Sequence, residues 1–270
     1  MVMLYVPAGE FLKGAADNDS DANPYEKPQH RVYLDAYWID RTEVTNAMFA
    51  RFVAATGYNT DAEKAGKGPV LDPAAGKWQD NIAGVDWAHP RGPVSDLKGL
   101  EAHPVVLVSW NDSAWYCKWA GRRLPSEAEW EKAARGTDGR QYPWGDGWDV
   151  QSTKRLNFAD RNLNVADADK NADDGYQFTA PVGSYPAGMS PYGALDMAGN
   201  VWEWVADWFD EKPYLALTAR NPTGPASGQN RLLRGGSWIH PRWLVRAASR
   251  MWGSPVAWQS NDGFRCARSD

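Results

Sequence analysis

Arg234-Gly235-Gly236-Ser237-Trp238 opens the last thirty-seven residues of the chain, and Gly263-Phe264-Arg265-Cys266-Ala267-Arg268 closes them. Both ends read as regular, frame-like sequence. The stretch between them, Ile239 to Asp262, is rich in turn-forming residues and carries Trp243, Trp252 and Trp258. It offers no obvious nucleophile and no cluster of metal-ligating residues. Whether it forms a reaction centre or a recognition surface decides what the protein does.

At 270 residues the chain can bury a sizeable core. With 43% hydrophobic and 23% charged residues, the composition is that of a globular protein. A formal net charge of −5, without a basic stripe, argues against nucleic acid as a partner. Sixteen tryptophans, eighteen prolines and twenty-five glycines point to a fold of ordered loops held by large aromatic anchors. No window approaches the length of a transmembrane span, so direct membrane insertion is not expected. The start, Met1 to Pro7, lacks the pattern of a signal peptide, which makes a cytoplasmic location the default. A piece of a longer signalling protein would read the same way. The cysteines, Cys117 and Cys266, are compatible with two buried thiols or with a disulfide.

Along the chain, Val6–Phe11 and His30–Ile39 alternate as strands do. Thr45 caps a helix with Phe49, Phe52 and Val53 on one face, and Gly57 ends it. Residues 58 to 103, rich in Gly, Pro and Asp, predict a long excursion with little regular structure. A second helix runs from about Ser109 to Gly121. In the third, Ser126 and Glu129 form a capping box and Gly136 follows the last turn. Short strands and turns fill the remainder. No linker divides the chain, so residues 1–270 read as one α+β domain of small twisted sheets, two to three helices and much ordered loop.

Several signatures of catalysis are missing: a phosphate-binding glycine loop, His-Glu-x-x-His and Gly-x-Ser-x-Gly. The four histidines, His30, His89, His103 and His240, lack metal-ligand spacing and read as structural or surface residues. Asp167-x-Asp169-x-Asn171 begins like a calcium loop, yet Ala172 stands where glycine is needed and Phe178 where the bidentate glutamate belongs. The acidic region from Asn157 to Asp174 is therefore either a solvated loop or a structural calcium site of another kind. In Trp202-Glu203-Trp204, strand alternation puts the indoles on one side and the carboxylate on the other. A carboxylate buried there needs a partner, either an arginine or a metal.

These residues bring a family into view. Val6-Pro7-Ala8-Gly9-Glu10-Phe11, Glu43-Val44-Thr45-Asn46, Arg123-Leu124-Pro125-Ser126-Glu127-Ala128-Glu129-Trp130-Glu131, Tyr142-Pro143-Trp144-Gly145, Asp196-Met197-Ala198-Gly199-Asn200-Val201-Trp202-Glu203-Trp204 and the two C-terminal frames occur in order. Together they resemble the formylglycine-generating enzyme (sulfatase-modifying factor) family, from about residue 3 to the end. The resemblance implies a C-type-lectin-like fold. It also implies one structural calcium held by Asn157, Phe158, Asp174 and Tyr176, and a second held by Asp196, Gly199, Val201 and Glu203. It favours a disulfide between Cys117 and Cys266.

Activity is where the sequence departs from the family pattern. The enzymes bind copper through two cysteines in Arg-Gly-Gly-Ser-x-x-Cys-x-x-x-x-Cys, and here those positions hold His240 and Val245. One imidazole beside a valine cannot replace two soft thiolates, so neither copper nor iron is expected and the reading leans against catalysis. The chain more closely resembles the variable proteins of diversity-generating retroelements, which end in the same kind of segment, about 234–268 here. In that reading Arg246, Ala248, Arg250 and Pro255 are framework. Ile239, His240, Trp243, Leu244, Met251, Trp252 and Gly253 would belong to the ligand-binding face, and so would Ser254, Val256, Ala257, Trp258, Gln259 and Ser260. Mixed aromatic and polar side chains on exposed turns suit a macromolecular ligand, such as a protein. Two other readings remain beside it: a family oxidoreductase or activator with different chemistry, and a regulatory domain of a larger protein.

Overall fold

A computed structural model describes residues 1–211 and 219–270. The N-terminal strands β1 (Met3–Val6) and β4 (Tyr37–Asp40) pair antiparallel, and the last strand, β11 (Ala267–Ser269), pairs with the free edge of β4. The two ends of the chain thus share one sheet. The strands β2 (Gly9–Lys13) and β3 (His30–Leu34) form a separate ribbon. The expected strand at Val6–Phe11 divides because Pro7 has no N–H to donate and Gly9 adopts φ 144°.

The sheet that matters for function is β10-β7-β8-β9, formed by Asp262–Gly263, Trp202–Trp208, Arg231–Arg234 and Arg250–Gly253. The short β10 runs parallel to β7, and the other pairs are antiparallel. Both C-terminal frames therefore become strands of one sheet, with the intervening segment looping between them. The architecture is the α+β, C-type-lectin-like arrangement anticipated from sequence. Among the described residues no helix is long and apolar enough to cross a membrane.

Three helices follow their capping signals. In α1 (Asn46–Thr56) the Thr45 hydroxyl accepts from Met48 N–H, and Gly57 closes the helix at φ 65°. The third and fourth helices, α3 (Trp110–Trp119) and α4 (Glu127–Arg135), each begin with a complete capping box, Ser109/Asp112 and Ser126/Glu129. Between α1 and α3 the structure corrects the expectation of an irregular excursion. A short helix, α2 (Asp61–Ala65), has its own Thr60/Glu63 capping box, and β5 (Lys67–Asp72) and β6 (Lys77–Ala83) form a hairpin. The Asp72 carboxylate accepts from Ala74 and Ala75 N–H to set the turn, and Gly76 completes it at φ 62°. Alternation gave no warning because six of the seven β6 residues are exposed.

The helix α4 lies at the centre of the molecule although it reads as polar: all nine residues of Glu-Ala-Glu-Trp-Glu-Lys-Ala-Ala-Arg are buried. Ion pairs make this possible. Glu127 meets Lys13 at 2.8 Å and Arg250 at 2.7 Å, and Glu131 meets Arg135 at 2.9 Å and Arg234 at 2.5 Å. Buried charges are tolerated when each is paired and hydrogen-bonded in this way. Cys117 of α3 and Cys266, just before β11, are joined in a disulfide with a Cα–Cα distance of 5.6 Å.

Candidate recognition cleft

The C-terminal segment is bolted down by four buried arginines. The Arg234 guanidinium donates to the Ala247, Ala248 and Ser249 carbonyls at 2.5–2.8 Å and pairs with Glu131. Arg246 pairs with Glu26 at 2.9 Å, and Arg250 with Glu127. Arg265 grips Glu203 through two bonds of 2.6 and 2.7 Å and also donates to the Asp40, Arg41 and Leu195 carbonyls. These arginines are framework in a physical sense. Each ties the segment to a residue far away in sequence. Gly236 is equally constrained: at φ 77°, an added Cβ would lie 2.6 Å from Val245 Cγ1.

On this frame Ser237, His240, Trp202 and Asn261 make one hydrogen-bonded unit. Trp202 Nε1–H donates to His240 Nδ1 at 3.2 Å, and the Ser237 hydroxyl lies 2.6 Å from the same nitrogen. Asn261 Nδ2 donates to Ser237 Oγ at 3.2 Å. An indole nitrogen can only donate, so Nδ1 is an acceptor and the ring proton sits on Nε2. Burial pushes the His240 pKa down to about 4, which keeps the imidazole neutral. Its Nε2–H remains as a donor for something outside this unit.

His240 forms part of the wall of a cleft of about 500 Å³. It is lined by Trp202, Trp204 and Leu233 of the central sheet and by Met251, Trp252 and Gly253 of β9. Trp78 and Asp80 of the exposed hairpin strand line it as well. Trp252 is fixed by stacking on Phe209, with centroids 4.1 Å apart and planes 7° apart. Gly253 keeps the wall close, since a Cβ there would lie 3.0 Å from Trp204 Cη2.

Asp262 lines the same cleft from β10 and is only 7% exposed. Among the described residues no donor reaches its carboxyl, and burial alone pushes its pKa up to about 7.

The structure gathers Ile239, His240, Met251, Trp252, Gly253, Ala257 and Gln259 of the expected binding face around this cleft. Val256 and Trp258 line an adjoining hollow of about 370 Å³ that shares Asp80, Ala257 and Gln259 with it. Trp258 packs partly into the core around Val85 and Trp238, so it is an anchor as much as a contact. Trp243 and Ser254 are exposed outside both hollows. Leu244 is half-buried against the Trp202–Trp204 core, and Ser260 faces a separate hollow beside Trp238. Val245 is fully buried among Tyr142, Leu156 and Phe158, away from the cleft wall. Sequence reasoning missed Trp78, Asp80, Trp202, Trp204 and Asp262. For Asp262 one signal was present, a carboxylate directly ahead of the apolar Gly263-Phe264 frame.

The expected calcium ligands fall in two places. Asn157 Oδ1 is buried without a hydrogen-bond partner, and Asp174, whose pKa burial raises to about 7, curls over Phe158 N and Tyr176 N. A hard cation bound by the amide oxygen, the carboxylate and the Phe158 and Tyr176 carbonyls would satisfy that orphaned atom. At the second set, Asp196 accepts from Gly183 N–H, while Glu203 is already engaged by Arg265 and by Trp130 Nε1–H at 2.8 Å. The partner of the Trp-Glu-Trp carboxylate is thus an arginine. Three of its roughly four lone-pair positions are taken. Gly199 and Val201 lie between them on the turn into β7. Among the described residues no three His, Cys, Asp or Glu side chains converge as a metal cluster.

The sequence of the sulfatase-modifying factor enzyme 1-like domain matches residues 1–270. The chain belongs to that family. It is 43% identical over 280 positions to the formylglycine-generating enzyme of Streptomyces coelicolor, covering 97% of this chain and 87% of that protein. PvdO from Pseudomonas aeruginosa superposes with a TM-score of 0.78 at 27% identity, covering 99% of this chain and 94% of that one. Treponema denticola variable protein 1 superposes with a TM-score of 0.69 at 22% identity, covering 99% and 95%. That last likeness is one of fold.

Proposed function

We propose that this member of the sulfatase-modifying factor family binds a ligand rather than oxidising a cysteine, and that the segment from Ile239 to Ser260 displays its recognition face. The observation that carries the reading is the content of the cleft. Where the enzymes of the resemblance place two copper-binding cysteines, this chain has His240, a neutral imidazole, and Val245, a core residue. Its two cysteines are both consumed in the Cys117–Cys266 disulfide, so no thiolate is available to hold copper(I).

The division between a buried arginine frame and an exposed, chemically mixed rim is what a variable recognition protein requires. The frame fixes the backbone, and the rim can change without disturbing it. A protein or other macromolecular ligand suits a face that runs across two adjoining hollows and the exposed Trp243. A structural calcium at Asn157, Phe158, Asp174 and Tyr176 would hold the loop beneath this segment, because Ala159 N–H donates to the His240 carbonyl. The disulfide fits an oxidising compartment better than the cytoplasm expected by default.

The deciding experiment incubates the purified protein with copper(I), oxygen and a sulfatase-type cysteine peptide, with mass spectrometry of the peptide. The reading expects the cysteine to be recovered unchanged and the protein to take up no stoichiometric copper. Formylglycine above the protein-free control overturns it.

A further inference from the structure

We propose that the cleft between Trp78, Trp202, Trp252 and Asp262 takes an alkylammonium group, primary or methylated, carried on a peptide. This rests on the recognition reading above and adds the chemistry of the ligand.

Of the indoles that border the cleft, Trp202 and Trp204 are buried beneath it, and Trp78 and Trp252 are the ones that present ring surface to it. Aromatic faces attract cations through the ring quadrupole, and most strongly so for tryptophan. Two carboxylates face the same space, Asp80 from the hairpin and Asp262 from the sheet. Among the described residues no lysine or arginine lines it.

Asp262 is the decisive residue. The residue is 7% exposed, and its carboxyl, on the cleft wall, has neither a hydrogen-bond donor nor a cationic neighbour among the described residues. Glu127, Glu131, Glu26 and Glu203 of the frame are each paired with an arginine or lysine, and buried Asp196 and Asp207 each accept a backbone N–H, whereas Asp262 has neither kind of partner among the described residues. A carboxylate left bare in an apolar wall is costly unless something outside the chain supplies the counter-charge.

An ammonium group supplies it, and the indoles solvate the alkyl or methyl surface around it. His240 Nε2–H and the amides of Asn261 and Gln259 stand on the same cleft and are suited to the neutral carbonyl groups of a peptide that carries the cation. An anionic ligand would instead meet two carboxylates.

Among the described residues the titratable groups facing the cleft are Asp80, Asp262 and His240, the last held neutral by burial. Binding of a cation favours ionised Asp262, so affinity should fall as pH drops below about 7, where burial holds that carboxyl partly protonated.

The test is a titration of the intact protein, followed by tryptophan fluorescence and calorimetry. The probes are Nα-acetyl-lysine methylamide, its Nε-trimethyl form and its neutral Nε-acetyl form. The two cationic probes are expected to bind at least tenfold more tightly than the neutral one and to weaken about tenfold from pH 8 to pH 6. The near-isosteric Asp262→Asn variant should lose at least tenfold in affinity for the cations while unfolding at the parent midpoint. Trp252→Phe should lose a few-fold, which provides a second readout if Asp262→Asn folds poorly. Equal binding of charged and neutral probes, or no binding of either cation, overturns the assignment. If the probe is bound but recovered chemically altered, the cation assignment stands and the non-catalytic reading fails.

Discussion

Replacing Arg265 with methionine removes the cation at the centre of a cluster of three buried carboxyls, Glu43, Asp196 and Glu203. The guanidinium makes two bonds to Glu203 at 2.6 and 2.7 Å and donates to three backbone carbonyls, and both partners of the ion pair are fully buried. Glu43 and Asp196 feel the same charge, and without it three carboxyls face one another in a desolvated space. Breaking one side of a buried pair costs roughly 3–5 kcal/mol because the remaining charge is left uncompensated. At this chain length that corresponds to about 10 °C in melting midpoint.

The assay is urea and thermal unfolding followed by tryptophan fluorescence, for Arg265→Met, Glu203→Leu and the double variant. The double variant should recover at least half of the loss, since apolar replacement of both partners is often near neutral. The pH dependence has a definite sign. In Arg265→Met the Glu43 and Asp196 carboxyls, already held above the ordinary carboxylate range by burial, lose the charge that draws them down and rise further. Their contribution to stability is then fully present below the unfolded carboxylate range of about 4 and is lost as pH rises through the folded values. The variant should therefore fall further below the parent at pH 8 than at pH 5. A loss under about 1 kcal/mol, with no pH dependence and no recovery in the double variant, would refute the placement of Arg265 as the counter-charge.

Two further outcomes follow from other parts of the frame. Joint replacement of Cys117 and Cys266 by alanine should cost roughly 2–5 kcal/mol in equilibrium unfolding, because the bridge closes a loop of well over a hundred residues between α3 and the last sheet; an unchanged midpoint would contradict this. Calcium at a hundred times its dissociation constant should add roughly 2.7 kcal/mol over a chelated sample, and Asn157→Ala should abolish the difference. Identical melting with calcium and with chelator would remove Asn157 as a ligand.

Much of the architecture was legible because local chemistry announces itself. Thr45, Ser109 and Ser126 mark helix starts by satisfying orphaned N–H groups, and the structure places each as a cap. The alternation of Trp202, Glu203 and Trp204 correctly separated indoles from carboxylate, and left open only whether the partner was an arginine or a metal. Less legible was anything that depends on distant pairing. The burial of α4 is invisible to a hydrophobic pattern, because its charges are neutralised by Lys13, Arg234 and Arg250 from three remote segments. The β5–β6 hairpin escaped notice because its second strand buries no alternate face. Seven of the residues expected on the binding face line one cleft, yet how the segment divides between cleft, core and open surface was not legible. Sequence spacing cannot tell that Leu244 turns inward and Trp243 outward, or that Trp78 of the hairpin completes the cleft wall. Asp262 lay directly ahead of a frame motif, and only the fold reveals that it has no partner among the described residues.

The central claim is that a fixed frame carries a changeable face, and an alanine series across residues 234 to 265 tests it most directly through unfolding free energy. The account predicts losses above about 2 kcal/mol at Arg234, Trp238, Arg246, Arg250 and Arg265, and changes within about 0.5 kcal/mol at Trp243, Ser254, Val256 and Gln259. If the rim positions prove as costly as the arginines, the segment is core rather than recognition surface, and the account is contradicted.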